Sequence, residues 1–198
     1  MKKHSKCWIM IKIAILGDIG SGKSFVARSF GYPVFNADNE VAEIYKKNKN
    51  CFIKLKKLLP KYIETFPIDK TELMNAILSN KNNIKKITKI VHPLVRKKMN
   101  LFLLKNKKRK LIILDIPLLL ENKIKTKDTI LVFVDAKKSD ILKRLSKRKS
   151  FNSKILKRLK EIQLPLDHKK KKSKYIIKNY DTKSSVRKSV KNLLKKIL

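Results

Sequence analysis

Gly17-Asp18-Ile19-Gly20-Ser21-Gly22-Lys23-Ser24 fits the pattern G-x-x-x-x-G-K-[ST], whose chemistry is the binding of phosphate chains. Successive backbone N–H groups of such a loop converge on an anion, and the following helix adds its partial positive charge. Gly17 opens the sharp turn. Gly20, Ser21 and Gly22 are expected to bring the backbone against the phosphates. Lys23 would reach the β- and γ-phosphates, the Ser24 hydroxyl would ligate Mg²⁺, and Phe25 follows them against the nucleotide. The chain has four glycines, and three of them fall within these eight residues.

A phosphate loop works only between a strand and a helix. Residues 12–16 (Lys-Ile-Ala-Ile-Leu) are apolar and β-branched, as a buried parallel strand requires. Residues 24–30 read as a short helix stopped by Gly31 and then Pro33. Further strands are expected over 32–38, 111–114, 130–134 and 174–178. Helices are expected over 39–49, through most of 51–107 with breaks near Pro60, Pro67 and 80–83, and over 139–147, 151–163 and 182–198. In 51–107, Leu55, Leu58, Leu59, Tyr62 and Ile63 have the spacing of one helical face, and Pro93 is expected at a helix start or bend. The run 169–172, four lysines, reads as a solvated loop. Strands alternating with helices predict an α/β fold with a five-stranded parallel sheet.

Lys and Arg number 52 against 15 Asp and Glu, a net charge of +37. That balance suits nucleic acid. Lys, Ile and Asn are all abundant, however, and a compositional bias toward A/T-rich codons gives the same charge without selection for DNA contact. Weak, salt-sensitive retention on polyanions is expected, with no specific nucleic-acid partner. Cys7 and Cys51 have neither metal nor redox spacing, which suits a reduced cytoplasmic protein. Residues 1–9 are basic, then apolar, with no small-residue cleavage site; they are expected to form a disordered extension outside the fold, and Met10 offers an alternative start. No apolar run approaches membrane-spanning length, so no membrane partner is expected.

Beyond the loop, the chain carries residues 30–38 (Phe-Gly-Tyr-Pro-Val-Phe-Asn-Ala-Asp), 91–95 (Val-His-Pro-Leu-Val) and 114–121 (Leu-Asp-Ile-Pro-Leu-Leu-Leu-Glu). Val134-Asp135, Arg144, Arg148, Arg158, Gln163 and 175–179 (Tyr-Ile-Ile-Lys-Asn) come next. In order and spacing this resembles the dephospho-CoA kinase family, from Ile11 to the C-terminus. The H-P-L and P-L-L-x-E segments make the resemblance specific. It implies a P-loop kinase fold: one domain over 10–198, a helical acceptor-binding insert at about 51–107 and a lid at about 148–170. It also implies transfer of the γ-phosphoryl of ATP to the ribose 3′-hydroxyl of dephospho-CoA. The residues do not fix an oligomeric state, and a monomer is the favoured expectation.

By the same resemblance Asp38 is the carboxylate facing that hydroxyl. Such a residue at the end of the second strand can reach the loop's phosphates; the alternative is a carboxylate serving a helix N-terminus. Asp115 is either a Walker-B-like acid holding Mg²⁺ through water or a strand-end turn residue. Arg144 and Arg148 lie one helical turn apart and are expected to clamp the transferring phosphate, with Arg158 joining from the lid. Asn179 is expected near adenine. Lys70, His92, Pro117 and Glu121 are expected on the acceptor side, His92 as a contact rather than a base. Asp18, Phe25, Asn36 and Lys70 stand where the family commonly has Gly, Thr, Asp and Arg. The Asp18 side chain is expected to point away from the phosphates. A nucleoside-monophosphate kinase would share the loop and lid but not the H-P-L and P-L-L-x-E segments. A basic nucleic-acid-binding protein would explain the charge alone.

Overall fold

Strand β1 (Ile11–Gly17) alternates its side chains across the sheet, Ile13 and Ile15 to one face and Ala14 and Leu16 to the other, and all four are buried. The computed structural model describes residues 10–117, 119–121, 128–147, 151–180 and 182–198. β1 is the middle strand of a five-stranded sheet, between β3 (Leu111–Asp115) and β4 (Thr129–Asp135). β2 (Val34–Asn36) lies outside β3 and β5 (Tyr175–Lys178) outside β4, and every pair is parallel. Chain order therefore reverses at β1, and the crevice beyond its C-terminal end is where open α/β sheets bind ligands.

On one face, α1 (Lys23–Ser29) and α9 (Lys183–Ile197) bury Val26, Ala27, Val186 and Val190 against Ile13, Ile15, Val132 and Val134. On the other, Met99 of α5 (Asn82–Lys105) packs with Phe35, Leu114 and Phe133. A separate helical cluster joins α2 (Ala37–Lys47), α3 (Lys49–Leu58), α4 (Lys70–Ser79) and α5 through Ile44, Leu55, Leu73, Ala76, Ile87 and Val91. Three helices complete the described fold: α6 (Lys138–Ser146), α7 (Ser153–Glu161) and α8 (Leu166–Lys172). Among the described residues no helix is long and apolar enough to cross a membrane.

Three sequence expectations change. The second strand stops at Asn36, and α2 begins at Ala37, because Asn36 is an extended N-cap whose Oδ1 accepts the Asn39 N–H at 2.8 Å. Asp38 therefore sits in the first turn of a helix. Pro93, expected at a helix start or bend, lies inside α5. Leu58 is exposed, since α3 ends there and the backbone leaves helical geometry at Leu59; Leu55, Leu59 and Ile63 carry the buried face. The lysine run 169–172 is helical, within α8, and Lys169 is buried. The extension 1–9 and Arg148 lie outside the described residues.

Candidate active site

The loop between β1 and α1 turns on glycines in conformations that L side chains rarely adopt. Gly22 has φ 90°, and a Cβ there would collide with the Asn179 side-chain amide; at Gly17, φ is 148° and a Cβ would lie 2.7 Å from the Val134 carbonyl. Asn179 is buried, donates from Nδ2 to the Ser21 carbonyl at 2.7 Å and anchors its own N–H on the Asp135 carbonyl at 2.7 Å. Arg144 of α6 donates to the carbonyls of Ser21 and Asn179, each at 3.2 Å. The end of β5 and α6 thus hold the loop from behind. Gly22→Ala should relax this brace: left-handed backbone alone costs about 1–2 kcal/mol, or a melting temperature lower by roughly 2–8 °C in a chain of this size. Weaker ATP binding should accompany it. Thermal melts with a nucleotide titration check both, and an unchanged melting temperature would contradict the brace.

Lys23 is buried, and its Nζ donates to the carbonyls of Asp18 at 2.7 Å and Gly17 at 3.3 Å. Burial pulls its pKa below the ordinary lysine value; Lys169 adds to that shift, while Asp115, Asp38 and Asp18 oppose it. An ammonium held among carbonyls in a poorly hydrated loop is well placed to meet phosphate oxygens. Asp18 turns back on the loop: Oδ1 accepts the Ile19 N–H at 2.7 Å, and Oδ2 lies 3.9 Å from Lys160 of α7.

In front of the loop lies a cavity of about 470 Å³, lined by Gly20, Gly22, Lys23, Ser24 and Phe25 of the loop and α1 and by Asp38, Asp115 and Pro117 from the ends of the neighbouring strands. Arg28 of α1 and Leu159, Ile162 and Gln163 at the end of α7 complete the wall. Asp115 is 2% exposed at the end of β3, level with Asn36 in the neighbouring strand. Asn36 Nδ2 donates to Asp115 Oδ2 at 2.7 Å and lies 3.5 Å from Ser24 Oγ, so one amide links the hydroxyl and the carboxylate. Among the described residues no three His, Cys, Asp or Glu side chains cluster as a metal site. Mg²⁺ needs no such cluster, because it keeps several waters and takes one or two protein oxygens with the phosphates. Ser24 and Asp115 fit that set.

The remaining sequence-chosen residues lie farther out. His92 is half-buried on α5, and its imidazole is held below the ordinary value by burial and by Arg96. Lys70 is exposed at the first position of α4. Neither lines the cavity. Glu121 turns onto Lys169 at 2.6 Å and accepts the Leu164 N–H at 3.1 Å. Arg158 is half-buried on α7 but outside the lining. Sequence reasoning missed Arg28, the bridging role of Asn36 and the burial of Lys169. Asn36 carried a signal, as a polar residue ending a strand beside the loop. Lys169, one of four consecutive lysines, carried none.

The family model for dephospho-CoA kinase matches residues 11–184. A dephospho-CoA kinase of Wolbachia pipientis wMel is 35% identical over 187 residues, covering 92% of this chain and 95% of the relative. Among solved structures, the crystal structure of TT1252 from Thermus thermophilus superposes with a TM-score of 0.75 at 27% identity, over 96% of this chain and 99% of that one. The dephospho-CoA kinase from Campylobacter jejuni shares the fold, with a TM-score of 0.66 at 23% identity over 94% of this chain and 96% of that one. With a phosphate loop, two carboxylates on its cavity and a family match over most of its length, the chain belongs to the dephospho-CoA kinase family, which catalyses the final step of coenzyme A biosynthesis.

Proposed function

We propose that this chain transfers the γ-phosphoryl group of ATP to the ribose 3′-hydroxyl of dephospho-CoA, giving coenzyme A and ADP. The observation that carries the reading is one cavity on which Lys23, Ser24, Asp38 and Asp115 meet. Phosphoryl transfer asks the protein mainly for positioning and charge stabilisation. The loop 17–24 receives the phosphates on its N–H groups, and Lys23 turns from its carbonyl partners to the β- and γ-oxygens. Asp38 orients the 3′-hydroxyl and takes its proton as the new P–O bond forms, and the electron pair of the broken bond leaves on ADP.

Arg144, already against Ser21 and Asn179, stabilises the charge on the transferring group from behind the loop, and Arg148 is assigned the same duty from its spacing. Phe25 and Asn179 border the nucleotide side. Lys70, His92, Pro117 and Glu121 belong to the acceptor side, Glu121 through the shape it gives the chain after β3. Ser24 and, through water, Asp115 would hold Mg²⁺, which would supply neutralisation of phosphate charge when bound. The insert at about 51–107 receives the acceptor, and the segment at about 148–170 closes over the phosphates, excluding water. The working state is a cytoplasmic monomer whose basic surface attracts phosphorylated substrates and holds nucleic acid only weakly.

A coupled assay of ADP release tests the reading. Turnover is expected with dephospho-CoA and not with AMP, CMP or UMP. Turnover with a nucleoside monophosphate alone would assign the acceptor wrongly, and no ADP above background with any acceptor would overturn kinase activity.

A further inference from the structure

Lys169 is buried to 1% side-chain exposure, although His168 before it and Lys170, Lys171 and Lys172 after it in the same helix are exposed. Lysine is almost never buried this deeply without a partner. Its partner is Glu121, 8% exposed, whose Oε1 lies 2.6 Å from the ammonium. The contact is a charge pair without the angles of an aligned hydrogen bond, and Glu121 Oε2 has no donor among the described residues. The carboxylate therefore depends on Lys169 for compensation of its buried charge.

The same Oε1 accepts the Leu164 N–H at 3.1 Å. Leu164 follows Ile162 and Gln163, which line the phosphate cavity at the end of α7. Glu121 follows Asp115 and Pro117, which line the same cavity. α8 packs beside β1 and β4, the strands that carry and flank the loop, and the neighbouring Lys170 is tied to Asp135 at 3.1 Å. One carboxylate oxygen thus joins the chain after β3, the exit of α7 and a helix fixed to the sheet. Glu121, Leu164 and Lys169 are not among the residues that line the cavity.

We propose that Lys169 is a positioning residue for phosphoryl transfer: through Glu121 it fixes the chain at Leu164, so that Ile162 and Gln163 close one wall of the phosphate cavity. This rests on the phosphoryl-transfer reading above. A wall that closes to a fixed depth excludes water while admitting the acceptor hydroxyl. Loosening the anchor lets water compete for the γ-phosphoryl without weakening the loop's own hold on ATP.

The test uses the full chain with Lys169→Met/Glu121→Gln, which removes both charges together, beside Lys169→Arg. The readouts are kcat, KM for ATP, and the ratio of ADP released without acceptor to ADP released with dephospho-CoA. The double variant should lose roughly tenfold or more in kcat, the scale on which misplacement away from the chemistry acts. Its acceptor-free ratio should rise severalfold while KM for ATP changes less than about twofold. Lys169→Arg, which keeps the charge, should recover part of the loss. A folded double variant with wild-type kcat and ratio overturns the proposal, as does a kcat loss with an unchanged ratio. Should the double variant fail to fold, amide exchange on the wild-type chain decides: the Leu164 amide should exchange far more slowly than an open one, and exchange at the unprotected rate overturns the link. Wild-type protein inactive toward dephospho-CoA would instead overturn the acceptor reading, leaving the exchange result to judge the anchor.

Discussion

Lys23→Ala is expected to lower kcat by roughly 10³-fold or more, the scale seen when a group aimed at developing transition-state charge is removed. The ammonium is buried against the carbonyls of Gly17 and Asp18, and burial has already pulled its pKa down. Folding therefore disfavours its charged form at every pH below that lowered pKa. Removing it relieves that cost but also loses two carbonyl hydrogen bonds and the packing of a buried stem, so the melting temperature at neutral pH should change little beside the catalytic loss. The loss should appear in catalysis, since the same desolvation that makes the ammonium costly strengthens its attraction for phosphate oxygens. ATP should bind more weakly but measurably, through the loop N–H groups. Steady-state ADP release, an ATP titration and a thermal melt separate these effects. A kcat within tenfold of wild type would remove Lys23 from the transition state.

What the sequence made legible follows from which forces were local. The loop was readable because only glycine tolerates the positive φ at Gly17, Gly20 and Gly22, so the backbone demand is written as residue type. β1, β3 and β4 were readable because buried parallel strands need unbroken β-branched and aliphatic runs. The start of α2 was misplaced by two residues because Asn36 serves two masters: it caps the helix through Asn39 and reaches Asp115 across the sheet. A one-dimensional reading sees the strand and misses the cap.

The burial of Lys169 was not legible at all, because nothing local separates it from the exposed lysines beside it. Only its distance from Glu121, 48 positions earlier in the chain, does so. The overall charge misled in a related way. Of 15 acidic residues against 52 basic ones, three (Asp18, Asp38 and Asp115) act electrostatically on Lys23. The informative electrostatics are the few carboxylates gathered at one lysine, and bulk composition conceals them.

Asp38→Asn is expected to cut kcat by about 10²–10⁴-fold, the usual contribution of a positioned acid–base group, with ATP affinity near wild type. Asp38 lies in the first turn of α2, two residues after the Asn36 cap, and lines the cavity together with Lys23 and Ser24. That position supports two roles with different consequences. A carboxylate that only complements the helix terminus is worth about 0.3–1 kcal/mol of stability, and its loss would leave kcat almost unchanged. A carboxylate that takes the hydroxyl proton leaves stability nearly intact when made an amide, because asparagine keeps its size and most of its polarity, and removes the base. Measuring kcat, ATP affinity and melting temperature on one preparation decides between them. A melting shift of a few degrees with kcat within threefold of wild type assigns Asp38 to the helix. A large fall in kcat at constant ATP affinity assigns it to the acceptor hydroxyl. The second outcome is expected, because Asp38 shares its cavity with Lys23, Ser24 and Asp115, whereas the helix terminus already has Asn36 to satisfy it.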